Sequence, residues 1–101
     1  MHPADQGSVR ERLGQAVHSL AVGRGDVQDR LEAAALAMQT LEPDDFTEED
    51  DRNEFAALWS ALTSEAGAGD IAATTSALDD EQAVELAERI VALEARLSRS
   101  G

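Results

Sequence analysis

The feature that most constrains the fold is a regular spacing of apolar residues near the C-terminus. Intervals of three, four, three and four positions separate five of them: Ala83, Leu86, Ile90, Leu93 and Leu97. This repeat places all five on one face of an α-helix that packs against its neighbours at a small crossing angle. No segment shows the alternation of apolar and polar residues that is typical of a strand between turns. The sequence therefore predicts an all-α protein.

A Ser, Thr or Asp stands before each amphipathic segment and predicts where the helix begins. The predicted starts of the four main helices are Ser8, Asp26, Thr47 and Asp79. A short helix is predicted to start at Asp70. Because the intervening loops are short, the predicted architecture is a small antiparallel bundle of four main helices plus one short helix. Residues 1–7 are expected to form a flexible N-terminal tail, residues 8–98 one helical domain, and residues 99–101 a C-terminal tail.

Several local features bear on the stability of these helices. Acidic and basic residues four positions apart predict surface ion pairs at Asp26–Arg30 and Glu85–Arg89. Gly23 and Gly25 are predicted to end the first helix. Gly14 lies inside that helix, where it either lowers the stability or lets a neighbouring helix approach closely.

Large apolar residues are few, and the third predicted helix carries the bulkiest of them. Phe55, Leu58, Trp59 and Leu62 are expected on its buried face. Leu, Ile, Val and Phe together make up 21 of the 101 residues. This is close to the level of about 20% below which highly charged chains tend to be disordered. We therefore expect a monomer of marginal stability, which association with a second copy or a partner would stabilise.

The negative charge of the chain is confined to one region. Between Glu42 and Glu85 there are fourteen acidic residues and one base, Arg52, while the rest of the chain is balanced. The formal net charge of −13 therefore arises from this segment. Such a field repels phosphate backbones and anionic membranes and attracts a basic protein. We expect neither direct nucleic-acid binding nor membrane association.

The composition also excludes several kinds of chemistry. The absence of cysteine excludes disulfides, thiolate metal sites and a cysteine nucleophile, and the absence of lysine excludes Schiff-base catalysis. Neither a phosphate-binding loop nor a nucleophile elbow is present. The longest apolar run, Ala33–Met38, is too short to span a membrane. With no secretory leader pattern, we expect a cytoplasmic protein that is not an enzyme and needs no cofactor.

Metal binding is also disfavoured. A calcium loop needs a glycine at its sixth position and an acid at its twelfth, and loops counted from Asp44 or Asp45 have neither. His18 has Gly14 and Val22 at the positions one turn away, so no second ligand is near it along the helix. We predict no metal site.

Two functions remain, and the first is a non-catalytic module that binds a basic surface of another protein, in the manner of a nucleic-acid-mimicking inhibitor or an antitoxin- or immunity-like regulator. Its predicted partner-binding residues are Asp44, Asp45, Glu48, Glu49, Asp50, Asp51, Glu54, Asp79, Asp80, Glu81 and Glu85. The alternative is a structural protein that forms a homodimer, with acids that only confer solubility. Its predicted oligomer seam is Ala83, Leu86, Ile90, Leu93 and Leu97.

Overall fold

The computed structural model describes residues 6–64 and 71–100, and within them it contains helices and no strand. The helices are α1 (Gln6–Val22), α2 (Val27–Met38), α3 (Glu49–Leu62), α4 (Ile71–Ala77) and α5 (Asp80–Ser100). A single turn of 3₁₀-helix, Pro43–Asp45, precedes α3. The predicted all-α fold of four long helices and one short helix is confirmed.

Two of the predicted helix starts are capped as the sequence indicates. The Asp26 carboxylate accepts a hydrogen bond from the Asp29 amide at 2.9 Å, and the Asp29 carboxylate accepts one from the Asp26 amide at 3.3 Å. Asp79 and Gln82 make the same reciprocal exchange before α5, at 2.7 and 3.0 Å. Each capping box satisfies backbone donors that the first helical turn leaves without a partner.

Other predicted boundaries differ from the structure. The first helix begins at Gln6 rather than Ser8, and α5 continues to Ser100, so the helices take up part of both predicted tails. The predicted cap at Thr47 is wrong, because Glu48 occupies the N-cap position of α3 and its side chain makes no capping bond. The predicted starting residue of the short helix, Asp70, lies outside the described residues.

The turn between α1 and α2 depends on glycine and on a side chain from α2. Gly25 has φ +93°, and a Cβ there would overlap the Asp29 carboxylate. The Arg30 guanidinium donates to the Leu20 carbonyl oxygen at 3.2 Å, which satisfies an acceptor in the last turn of α1. Its Nε donates to the backbone carbonyl of Asp26 at 3.4 Å, so the predicted side-chain ion pair is replaced by two carbonyl contacts.

Helix α5 packs against three other helices, α1, α2 and α3. All five seam residues, from Ala83 to Leu97, are buried in the core of the single chain. The periodic pattern thus corresponds to a packed face, and the helices that cover it belong to the same chain. A dimer formed through this seam would have to displace them.

The three aromatic residues of the chain contact one another in a row that we call the aromatic stack. The two phenylalanines belong to the core, and the tryptophan packs against it. The ring centroids of Phe46 and Phe55 are 5.0 Å apart, and those of Phe55 and Trp59 are 6.0 Å apart. Both phenylalanines are buried and Trp59 is half-buried. The stack joins the segment before α3 to the middle and the second half of that helix.

Candidate protein-interaction surface

Two of the predicted partner-binding acids are engaged inside the molecule. Asp51 is buried, and its carboxylate lies 2.6 Å from a guanidinium nitrogen of Arg96. The Glu54 carboxylate accepts two hydrogen bonds from Arg89, at 3.0 and 3.3 Å. The later acid of α3 therefore pairs with the earlier arginine of α5, which shows that the two helices run in opposite directions.

Arg89 binds the neighbouring helix rather than the acid one turn away on its own. The hydrogen bonds that Arg89 donates to Glu54 are the largest cause of its raised pKa. Burial lowers this pKa, and the negative charges of Glu54 and Glu85 raise it further. Glu85, the predicted partner, therefore affects the pKa of Arg89 only through its charge. The two-point contact with Glu54 wins because the planar guanidinium matches both carboxylate oxygens.

The remaining acids of the α3 segment are mixed with basic groups. Four of them are exposed to solvent: Asp44, Glu48, Glu49 and Asp50. Asp45 accepts a hydrogen bond from the Glu42 amide at 2.9 Å, which holds the 3₁₀ turn. Arg52 lies among these acids and donates to the carbonyl oxygens of Phe46 and Thr47 at 3.1 and 2.9 Å. These contacts tie the segment to its own backbone.

A depression of about 310 Å³ lies where the start of α3 meets the end of α5. It is lined by Glu48, Asp50, Asp51, Arg96 and Arg99. Three carboxylates and two guanidinium groups share it, so their charges largely cancel at short range. We call the seven acids from Asp44 to Glu54 the α3 acidic segment.

The first half of α5 is different, because the acids there face solvent together. All four predicted residues in this region are exposed: Asp79, Asp80, Glu81 and Glu85. Asp79 serves as the helix cap, and the Asp80 carboxylate accepts a hydrogen bond from the side-chain amide nitrogen (Nε2) of Gln28 at 2.9 Å. A depression of about 420 Å³ on this face is lined by Asp80, Glu81, Val84, Glu85 and Glu88.

Among the described residues, every group that lines this second depression is acidic except Val84. We call Asp80, Glu81, Glu85 and Glu88 the α5 acidic surface. Glu88 was missed in the sequence, although it lies on the same helix face as Glu81, Val84 and Glu85 at helical spacing. The nearest arginine along the helix, Arg89, is held by Glu54 on the other side.

An apolar groove continues from the α5 acidic surface toward the C-terminal half of the helix. It has a volume of about 320 Å³ and is lined by Leu20, Val84, Ala87, Glu88, Val91, Ala92 and Ala95. Val84 and Val91 leave 42% and 44% of their surface exposed. Sequence reasoning missed this groove because the stronger seam on α5 dominates the pattern. The seven-residue interval between the two valines marks a second apolar stripe.

The predicted acids thus form two separate surfaces. A rise of about 1.5 Å per residue places Asp80 about 24 Å from Arg96 along the axis of α5. The acids of the α3 acidic segment that line the first depression lie beside Arg96, and the α5 acidic surface begins at Asp80. Glu54 lies between them, beside Arg89 in the middle of α5. The charge that is concentrated in the sequence is therefore distributed along this helix.

Comparison with protein-family models, with curated proteins and with solved structures found no match to this chain. His18 is exposed. The described part of the chain contains no group of three or more histidine or acidic side chains that could hold a metal ion. None of the described helices combines the length and the apolar character needed to cross a membrane.

Proposed function

We propose that this protein is a non-catalytic module that binds a basic surface of a partner protein. The observation that carries the proposal is the α5 acidic surface, where four carboxylates line a depression that contains no basic side chain among the described residues. Carboxylates that are exposed together repel one another, and a basic partner relieves that repulsion when it binds.

The α5 acidic surface is the better candidate of the two acidic regions. In the α3 acidic segment, Asp51 and Glu54 are already paired with arginines, and Arg96 and Arg99 lie in the same depression. A basic partner there would meet positive charge as well as negative. The exposed acids at the start of α3 instead complement the positive end of the helix dipole, which gives them a role in folding.

Inhibition of a nucleic-acid-binding protein is one form that this function would take, because such a partner carries a basic surface of its own. The charge of the module would steer it to that surface and accelerate encounter. Affinity would then fall as the ionic strength rises, since the contacts are made between exposed charges.

The test uses a fluorescently labelled octa-arginine peptide and three variants of equal net charge. Glu85→Gln/Glu88→Gln removes two charges from the α5 acidic surface, Glu49→Gln/Asp50→Asn removes two from the α3 acidic segment, and Glu11→Gln/Glu94→Gln removes two from elsewhere. Fluorescence anisotropy gives the dissociation constant for each protein at low ionic strength and at roughly 0.5 M salt.

We expect the α5 variant to weaken binding about tenfold at low ionic strength, a difference of about 1.4 kcal/mol. The other two variants should weaken it about twofold or less, because their charges act only through the general field. Equal losses in all three variants would mean that the peptide responds to total charge, and the proposed site would be rejected. Binding that is insensitive to salt would reject the electrostatic mechanism.

A further inference from the structure

The outer face of α5 forms one continuous stripe from Asp80 to Ala95. The α5 acidic surface and the apolar groove share Val84 and Glu88, so one leads into the other without a break. About four helical turns, or roughly 22 Å, separate the ends of the stripe. Its first half is acidic and its second half is built from valine and alanine, with Leu20 of α1 along one side.

We infer that this stripe is the docking site of an amphipathic helix that carries arginine or lysine at one end and small apolar residues along the rest of one face. The inference rests on the proposed function and specifies the partner that it requires. A helix of about four turns matches the length of the stripe, and helices that lie in grooves make contact at positions three and four residues apart.

The composition of the groove favours a helical partner over an extended one. Ala87, Ala92 and Ala95 present only methyl groups, which lets the backbone of a second helix approach closely. Val84 and Val91 line the same groove with nearly half of their surface in solvent, and a partner side chain between them would bury part of that surface.

Charge argues for a basic partner and against a second copy of this chain. A parallel pair of α5 helices would set the acidic half of one copy against the acidic half of the other. In an antiparallel pair, Glu81 and Glu85 of each copy would be buried against the alanines of its partner with no compensating base. A partner helix with a basic end avoids both costs.

The experiment compares two labelled peptides of about sixteen residues and identical composition. The amphipathic peptide has alanine and leucine along one face, arginines at one end and glutamine elsewhere, while the scrambled peptide distributes the same residues around the helix. Each is titrated against the full chain and against Val91→Gln, Val84→Gln and Leu36→Gln. Leu36 is the matched control, since it is 50% exposed on α2 and lies outside the stripe.

We expect the amphipathic peptide to bind the unmodified chain about tenfold more tightly than the scrambled peptide. Val91→Gln and Val84→Gln should each remove most of that difference, while Leu36→Gln should change it less than about twofold. These variants keep the net charge, and both valines are partly exposed, so urea unfolding should show that all three remain folded.

Equal binding of the two peptides, or equal effects of Val91→Gln and Leu36→Gln, would overturn the inference. If the inference fails in this way but octa-arginine binding still depends on Glu85 and Glu88, the proposed function remains supported. Sedimentation of the chain alone provides the remaining outcome. A homodimer that Val91→Gln dissociates would show that a second copy occupies the stripe, and the inference would be wrong.

Discussion

The α3 acidic segment and the α5 acidic surface contain the same kinds of residue but differ in what surrounds them. In the first, Asp51 and Glu54 bind arginines of α5, and Asp45 and Arg52 bind backbone groups of the same loop. In the second, the acids are exposed in a depression whose remaining lining, within residues 6–64 and 71–100, is Val84. A cluster of carboxylates in a sequence therefore does not define a binding surface by itself. The arginines near it in space decide whether its carboxylates form ion pairs within the fold or remain exposed to solvent.

The largest expected difference in stability is between a buried residue of α3 and an exposed residue of α5. Phe55→Ala removes a buried ring that contacts both Phe46 and Trp59, and we expect it to lower the free energy of unfolding by about 3–5 kcal/mol. Val84→Ala, on the outer face of α5, should change it by about 0.5 kcal/mol or less. Urea unfolding measures both values. Similar losses in the two variants would contradict the assignment of the α3 region to folding.

The next comparison concerns the arginines at the end of α5. Arg96→Met leaves the buried Asp51 carboxylate without the guanidinium at 2.6 Å, and we expect a loss of about 1–3 kcal/mol in the free energy of unfolding. Arg99→Met removes a neighbouring arginine of the same depression but not the contact with Asp51, so its loss should be clearly smaller. If the two variants unfold at the same urea concentration, the ion pair contributes nothing to the fold.

Neutralising the acids themselves should separate the two regions by a smaller amount. Glu49 and Asp50 lie in the first turn of α3, where each carboxylate stabilises the helix by about 0.3–1 kcal/mol. Glu49→Gln/Asp50→Asn should therefore destabilise the protein, whereas Glu85→Gln/Glu88→Gln, beyond the first turn of α5, should leave it unchanged or slightly more stable. Thermal unfolding at low ionic strength gives both midpoints. A larger loss in the α5 variant would reverse the roles we assign.

The smallest expected effect is a gain in stability, which would provide a more stable parent protein for the other variants. A Cβ at Gly14 would meet no atom within 4 Å outside its own helix, so close helix packing does not require this glycine. Gly14→Ala should therefore raise the free energy of unfolding by about 0.5–1 kcal/mol through helix propensity alone. Urea unfolding checks the gain, and a loss would show that the position is more crowded than the structure indicates.

The features that sequence reasoning predicted well are those fixed by neighbours along the chain. The capping boxes at Asp26 and Asp79 need only residues three positions apart, and the buried face of α5 needs only a periodic pattern. Both are local, so the sequence contains them in full. The core positions of Phe55, Leu58 and Leu62 follow from the same periodicity.

The features that it missed depend on contacts between distant segments. Arg89 binds Glu54, thirty-five positions away, instead of Glu85 on its own helix, because α3 packs beside α5. A periodic apolar face does not reveal whether its partner belongs to the same chain, and in the structure the α5 seam is buried against helices of this chain. The division of the acids into two surfaces likewise follows from the length of α5. The two depressions that the acids line lie toward opposite ends of this helix.

The aromatic stack gives the protein an internal optical reporter. Trp59 is the single tryptophan and no tyrosine accompanies it, so the long-wavelength emission of the chain comes from one indole stacked on Phe55. That indole is on α3, whereas the residues that line the stripe belong to α1 and α5. A shift in its emission wavelength or intensity therefore reports a change in the packing around Trp59, which a ligand bound in the stripe would not touch directly.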